Sequence, residues 1–234
     1  MPPDALDTLL LDAGGVMIFP NWDRVAAILG QHGLSTSGDA LRAVEPPAKR
    51  AIDEARRIAA SDDAQRGGAY FDLVLDGAGV QRGAARDEAL AEVYAYHQSE
   101  NIWETVPGDV KPALTALRDM GVTLAVASNA NGVLHRVMDR VGLTPYFAVI
   151  CDSCVEGVEK PDPRFFEIVM ERAGGRREST MHVGDLYHVD VAGARNTGIA
   201  AMLLDPHDLY PDADVERVRS LSELVERVKR RRGA

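Results

Sequence analysis

Two hydrophobic patterns divide this chain. Residues 6–18 and 107–205 alternate short apolar runs with amphipathic stretches. The runs are Leu6–Leu11, Val122–Ala127, Ala148–Cys151, Met181–Val183 and Ile199–Leu204. Each is short, apolar and followed by Gly, Ser, Asn or Asp, the pattern of parallel strands buried on both faces. Helical segments lie between them. Asp109–Met120 stops before Gly121, Val133–Val141 before Gly142, and Pro163–Ala173 opens on a proline and stops before Gly174-Gly175. Strand–helix alternation of this kind predicts an α/β fold with a doubly wound, parallel, Rossmann-like sheet.

Residues 21–102 follow a helical period instead, with no strand alternation. Asn21 is placed to cap a helix whose Val25, Ile28, Leu29 and His32 share one face, closed by Gly33. Leu41–Ala60 reads as charged helix that Pro46-Pro47 must kink or divide. Tyr70–Leu75 and Glu88–Gln98 continue the helical signal. The pattern predicts a small helical domain over residues 19–105, inserted after the first strand into a core domain formed by residues 1–18 and 106–234. The hinges are expected at Ile18–Asn21 and Glu104–Gly108, with Trp22 and Trp103 beside them and packing across the hinge. A last amphipathic helix is expected over Ser220–Arg232, with Leu221, Leu224, Val225 and Val228 on one face. Its basic end suits a helix C-terminus.

Composition narrows the function. With 26 basic and 36 acidic residues the chain carries a formal charge of −10, which argues against nucleic acid as a partner. It leaves open a small anion held locally. No apolar run approaches the roughly 20 residues of a membrane helix. Asp4, Asp7 and Asp12 interrupt the first apolar stretch, so neither a signal peptide nor a membrane partner is expected, and a cytoplasmic location is. The two cysteines, Cys151 and Cys154, lack the further ligands that zinc requires, and Cys151 reads as a small buried residue.

Ligands of open α/β sheets bind beyond the carboxyl ends of the strands. The residues there are Asp12-Ala13-Gly14-Gly15, Ser128-Asn129, Lys160-Pro161-Asp162, and Gly184-Asp185 with Asp190 five positions on. Carboxylates, one lysine, a hydroxyl and glycines whose amides approach closely suit Mg²⁺ and phosphoryl transfer.

These four segments, in this order and separated by a helical insertion, resemble the haloacid dehalogenase-like hydrolase superfamily. Within it, the chain is similar to subfamily IA members with a C1 helical cap. The resemblance implies a Mg²⁺-dependent phosphatase acting on a small phosphorylated metabolite, as a monomer or homodimer. It makes Asp12 the nucleophile, giving an aspartyl phosphate. Asp12, the Gly14 carbonyl and Asp185 would ligate Mg²⁺, with Asp190 supporting the metal directly or through water. Ser128, Asn129, Gly15 and Lys160 would bind the substrate. Ser128 would donate to a phosphoryl oxygen, with the Asn129 amide beside it. Lys160 would neutralise the phosphoryl group and hold the Asp12 carboxylate.

One departure matters. Family phosphatases usually carry an acid/base aspartate two residues after the nucleophile, where this chain has Gly14. Such a group is worth about 10²–10⁴ in rate. Three accounts stand: a substrate with a good leaving group, a substitute among Tyr187, His188, Tyr94 and His97, or a pseudo-phosphatase that binds a phosphorylated ligand without fast turnover. Two other branches of the superfamily also lack that aspartate. A 2-haloacid dehalogenase would use a basic residue near Arg42, but Gly184-Asp185 with Asp190 is the metal-binding version of the fourth motif. A phosphonatase would use a lysine such as Lys49.

Overall fold

The computed structural model describes residues 6–54 and 63–232. The chain separates into two compact units, one of Met1–Ile18 with Val106–Ala234 and one of Phe19–Thr105.

The first unit is built on a six-stranded sheet. Its strands are β1 (Thr8–Leu11), β4 (Thr123–Ser128), β5 (Val149–Asp152), β6 (Thr180–Gly184), β7 (Ala200–Leu204) and β8 (Glu216–Val218). The order is β5-β4-β1-β6-β7-β8, and every pairing is parallel. Successive strand residues point to opposite faces. Leu10, Ala125, Ala127 and Cys151 face one side, where they pack with Phe165, Phe166 and Val169 of α8 (Pro163–Arg172) and Ala194 of α9 (Ala192–Thr197). Leu9, Leu11, Leu124 and Val126 are equally buried on the alternate positions. On that side α5 (Val110–Asp119) packs on β4 and against α10 (Leu221–Arg232). Helices on both faces explain why the strands are apolar runs rather than alternating ones.

The five expected strands are all present, shifted by one or two residues. The sixth, Glu216-Arg217-Val218, has two charged residues in three and gave no apolar run. It survives at the sheet edge because Glu216 pairs with Arg231 and Arg217 with Asp205 and Asp208. Asp162 and Ser220 cap α8 and α10 through their side chains.

The second unit holds α1 (Trp22–Gln31), α2 (Gly38–Ile52), α3 (Asp63–Gly77) and α4 (Ala84–Ser99). The Asn21 side chain accepts from Arg24 N at 3.0 Å and caps α1, as the sequence implies. His32 ends that helix and pairs with Glu92 at 3.1 Å rather than extending the apolar face. The Pro46-Pro47 pair does not divide α2, which runs through to Ile52. The two missing N–H groups leave the carbonyls of Arg42 and Ala43 without their helical donors. The expected extension of this helix to Ala60 falls outside the described residues beyond position 54.

A short antiparallel ribbon, β2 (Phe19–Pro20) with β3 (Trp103–Thr105), also belongs here, where the hydrophobic pattern gave no strand. Two and three residues are too few to show a period. Trp22 and Trp103 pack inside this unit, Trp22 edge-on to Phe71 and Trp103 stacked on Tyr70. Glu45 accepts from Trp22 Nε1 at 2.9 Å and from the Tyr70 hydroxyl at 2.8 Å.

A buried carboxylate and lysine cluster

Leu11 registers with Val126 on one side and Val183 on the other, so β1, β4 and β6 release their chains together at one end of the sheet. Asp12 leaves β1 there, its amide donating to Val183 O at 2.9 Å. Residues 13–18 fold back tightly, with Met17 N and Ile18 N both donating to Ala13 O and Gly15 N to Ile18 O. Gly15 takes φ +71°, and a Cβ on it would lie 1.9 Å from Asp185 Oδ2. Only glycine leaves room for that carboxylate. Gly184 acts the same way for Asp190, whose Cγ would lie 2.1 Å from an added Cβ.

Carboxylate oxygens of Asp12, Asp185 and Asp190 all lie within 4.8 Å of one another, and all three residues are buried. Lys160 is fully buried among them, its Nζ 3.1 Å from Asp12 Oδ2 and 2.7 Å from Asp190 Oδ1. Four residues separated by up to 178 positions thus share one small volume.

Asp190 is saturated. Its Oδ1 accepts from Lys160 Nζ and from His182 Nε2 at 2.9 Å. Its Oδ2 accepts from the amides of Asp185 and Leu186 at 3.1 and 2.9 Å. A wide helical turn over Tyr187–Val191 brings it back to these partners. Burial alone would push the Asp190 carboxyl up, but Lys160 and His182 outweigh it and hold the group well below the usual range. Burial would likewise push Lys160 down, but Asp12 and Asp190 hold the ammonium charged, above its ordinary range.

Asp12 goes the other way. Burial lifts its carboxyl to about 6; Lys160 opposes that lift, and the charges of Asp190 and Asp185 add to it. Three buried carboxylates converging within 4.8 Å offer the hard oxygen donors that suit Mg²⁺. The set therefore fits the ion: Asp12 and Asp185 have the reach to hold it, while Asp190 is occupied with Lys160 and two amides.

Other expected site residues fall as follows. Ser128 is buried at the end of β4, its hydroxyl 3.4 Å from Asn129 O. The Asn129 side chain brackets the main chain of Lys160, accepting from Lys160 N at 2.8 Å and donating to Lys160 O at 3.0 Å. The carboxamide thus positions the lysine, a role that the expectation for its amide did not include. Gly14 bridges to Ile18 within the tight loop. Tyr187 packs in a cluster with Val191, Leu203 and Tyr210, and His188 sits edge-on to it. In the second unit Tyr94 packs edge-on to Phe71, and His97 Nδ1 accepts from Ile102 N. Arg42 pairs with Asp39 and Asp23 of its own unit. Both cysteines are free thiols, Cys151 buried and Cys154 exposed.

The residue that sequence reasoning missed is His182. Its signal was present: a polar ring inside the buried apolar strand Met181–Val183.

Fold and site define a class, a parallel Rossmann-like α/β core whose strand ends gather three buried carboxylates beside a buried lysine. The chain belongs to the haloacid dehalogenase-like hydrolases, whose family model matches residues 6–198. Over 169 residues it is 30% identical to a glyceraldehyde 3-phosphate phosphatase of Methanopyrus kandleri, covering 67% of this chain and 71% of the relative. It is 32% identical over 141 residues to a ribulose-1,5-bisphosphate 5-phosphatase of Halopiger xanaduensis, covering 59% and 58%. It is 32% identical over 146 residues to haloacid dehalogenase-like hydrolase domain-containing protein 3 of Bos taurus, covering 61% and 58%. The chain thus spans under two thirds of the length of the latter two. Among solved structures, the HAD hydrolase YfnB of Bacillus subtilis in a magnesium-bound form aligns with a TM-score of 0.72 at 18% identity, over 96% of this chain and 99% of that one. A 2-haloacid dehalogenase of Pseudomonas syringae pv. Tomato aligns at 0.61 and 25% identity, over 96% and 99%. No helix among the described residues is long and apolar enough to cross a membrane.

Proposed function

We propose that this hydrolase is a Mg²⁺-dependent phosphatase for a small phosphorylated metabolite of the sugar- or triose-phosphate class. The observation that carries the reading is the buried meeting of the Asp12, Asp185 and Asp190 carboxylates beside the Lys160 ammonium. Two of the similar curated proteins are phosphatases of small sugar phosphates, which supports the substrate class.

Asp12, Asp185 and the Gly14 carbonyl would hold Mg²⁺, which supplies charge neutralisation for the phosphoryl group and lowers the proton affinity of Asp12. Asp12 is the nucleophile. Its carboxylate is oriented by Lys160. Attack on phosphorus breaks the P–O bond to the leaving group, which takes its proton from solvent, and forms an aspartyl phosphate. Water then attacks that phosphorus, breaking its bond to Asp12 to release inorganic phosphate and regenerate the carboxylate. Lys160 moves between the Asp12 carboxylate and the equatorial oxygens of the phosphoryl group, and Ser128 donates to another. Gly15 and Gly184 keep Asp185 and Asp190 close to the reacting carboxylate. Asp190 is a positioning residue for Lys160. The inserted helical unit acts as a cap that selects the substrate. Gly14 stands where a second carboxylate would protonate the leaving group, so turnover of the alkyl esters in this class is expected to be slower than that of sugar-1-phosphates or acyl phosphates, whose leaving groups need less protonation.

A dehalogenase reading draws on the similar 2-haloacid dehalogenase structure and on the missing second carboxylate. The cation-seeking carboxylate cluster argues against it. Phosphate release from a panel of phosphate esters, with Mg²⁺ and with EDTA, tests the proposal. Activity that needs the metal and disappears in Asp12→Asn is expected. Turnover that survives both EDTA and Asp12→Asn refutes the mechanism, and metal-free halide release from 2-haloacids would favour the rival.

A further inference from the structure

His182 is fully buried in the middle of β6, between Met181 and Val183. A polar ring in that place needs a reason, because a valine or isoleucine would pack there at no desolvation cost. Its ring sits edge-on to Phe166 at 5.0 Å between centroids, which fixes its plane. Nε2 lies 2.9 Å from Asp190 Oδ1, while Nδ1 has no hydrogen-bond partner among the described residues. The ring therefore spends its one buried hydrogen bond on Asp190.

The same oxygen also accepts from Lys160 Nζ at 2.7 Å, and Lys160 Nζ reaches Asp12 Oδ2 at 3.1 Å. Histidine and lysine share one acceptor. Without the histidine donor, the full negative charge of that oxygen would face the ammonium, and Lys160 would be drawn from Asp12 toward Asp190. With it, the pull of Asp190 is partly spent, and Lys160 remains divided between the two carboxylates. The geometry points to His182 as a positioning residue that sets, through Asp190, how much of the Lys160 charge is available to Asp12 and to the phosphoryl group. This rests on the phosphatase reading for its effect on rate but not for the coupling itself.

Because the lysine acts on a group that gains charge in the transition state, the loss should fall on kcat rather than KM. His182→Leu removes the donor. His182→Gln restores one near the Nε2 position. Expected are a tenfold or greater fall in kcat for His182→Leu with KM within about threefold, and recovery to within about threefold of the parent kcat in His182→Gln. The coupling is read in the intact protein by ¹⁵N-histidine NMR of the hydrogen-bonded Nε2–H of His182. Asp12→Asn, which releases Lys160 fully to Asp190, should move that resonance upfield as the His182–Asp190 bond weakens. An unmoved resonance in Asp12→Asn, or a His182→Leu enzyme with the parent kcat, overturns the assignment. Should His182→Leu fail to fold, the resonance still decides. A moved resonance in a protein that releases phosphate from no ester would uphold the positioning chain while removing the phosphatase reading.

Discussion

Gly15→Ala puts one methyl group where the structure has no space. The added Cβ would stand 1.9 Å from Asp185 Oδ2, against an ordinary contact of about 3.4 Å, so the carboxylate must retreat by about 1.5 Å. The backbone at φ +71° adds left-handed strain of about 1–2 kcal/mol for a residue with a Cβ. Those two costs separate experimentally. Gly174 has φ +66° with nothing within 4 Å of its would-be Cβ, so Gly174→Ala carries the strain without the collision. Both variants should lose roughly 2–6 °C in Tm from strain alone in a unit of this size. Only Gly15→Ala should also displace the Asp185 carboxylate, the proposed Mg²⁺ ligand, and a misplacement of about 1 Å costs about a hundredfold in rate. Calorimetric titration with Mg²⁺ should show at least tenfold weaker binding in Gly15→Ala and parent-like binding in Gly174→Ala. Phosphate release should fall by about a hundredfold in the first and less than twofold in the second. Equal Mg²⁺ affinity in the two variants would refute the claim that Gly15 makes room for Asp185 as a ligand.

Five further outcomes follow. The raised carboxyl of Asp12 makes its ionised form costly in the metal-free protein, by about 3 kcal/mol for a shift from 3.8 to about 6. The folded pKa lies above the unfolded one, so stability falls as pH rises from about 4 to 6 and stays reduced above. In EDTA at pH 7.5, Asp12→Asn should therefore melt higher than the parent, as thermal scans across pH would show. Arg86 is buried with Asp72 at 2.7 Å, Asp76 at 2.5 Å and Val80 O at 3.0 Å, and Arg86→Met should cost about 2–4 kcal/mol in urea unfolding of the inserted unit. Hydrogen bonds from Arg82 and Arg86 hold the Asp76 carboxyl down at about 2, so its contribution is present above pH 4 and lost as pH falls toward 2; this acid loss should be shallower in Arg86→Met. A thiol reagent should label Cys154 rapidly and Cys151 only on unfolding, because burial encloses Cys151 and pushes its thiol up. Gly14→Asp should raise kcat most for substrates with poor leaving groups and least for acyl phosphates, since only the former need a proton.

Much of this was legible in the residues. The buried parallel strands announced themselves because both faces of the sheet are covered, so Leu9 and Leu10 alike had to be apolar. The meeting of Asp12, Lys160, Asp185 and Asp190 was legible because they follow those strands, and strand ends are where an α/β sheet leaves backbone free to meet a ligand. What the period did not disclose was short or charged: the ribbon Phe19–Pro20 with Trp103–Thr105, and the edge strand Glu216–Val218. Nor did it show that α2 would run through Pro46-Pro47, since packing of Leu41, Ala48 and Ile52 in the helical core offsets two missing hydrogen bonds.

The sequence by itself therefore determined five of the sheet's six strands, the family and the roster of charged residues at the strand ends. Those depend on local pattern and on order along the chain. Tertiary structure decided how the charges are shared. Asn129 and Lys160 are 31 positions apart, yet the Asn129 carboxamide fixes the lysine main chain. Asp190 gives one oxygen to Lys160 and His182 and the other to two amides, while Asp12 has Lys160 on one side and two like charges close by. Electrostatic balance falls off with distance through space and takes no account of separation along the chain. That is why a histidine in an apolar run became a member of the site only after the strands were laid side by side.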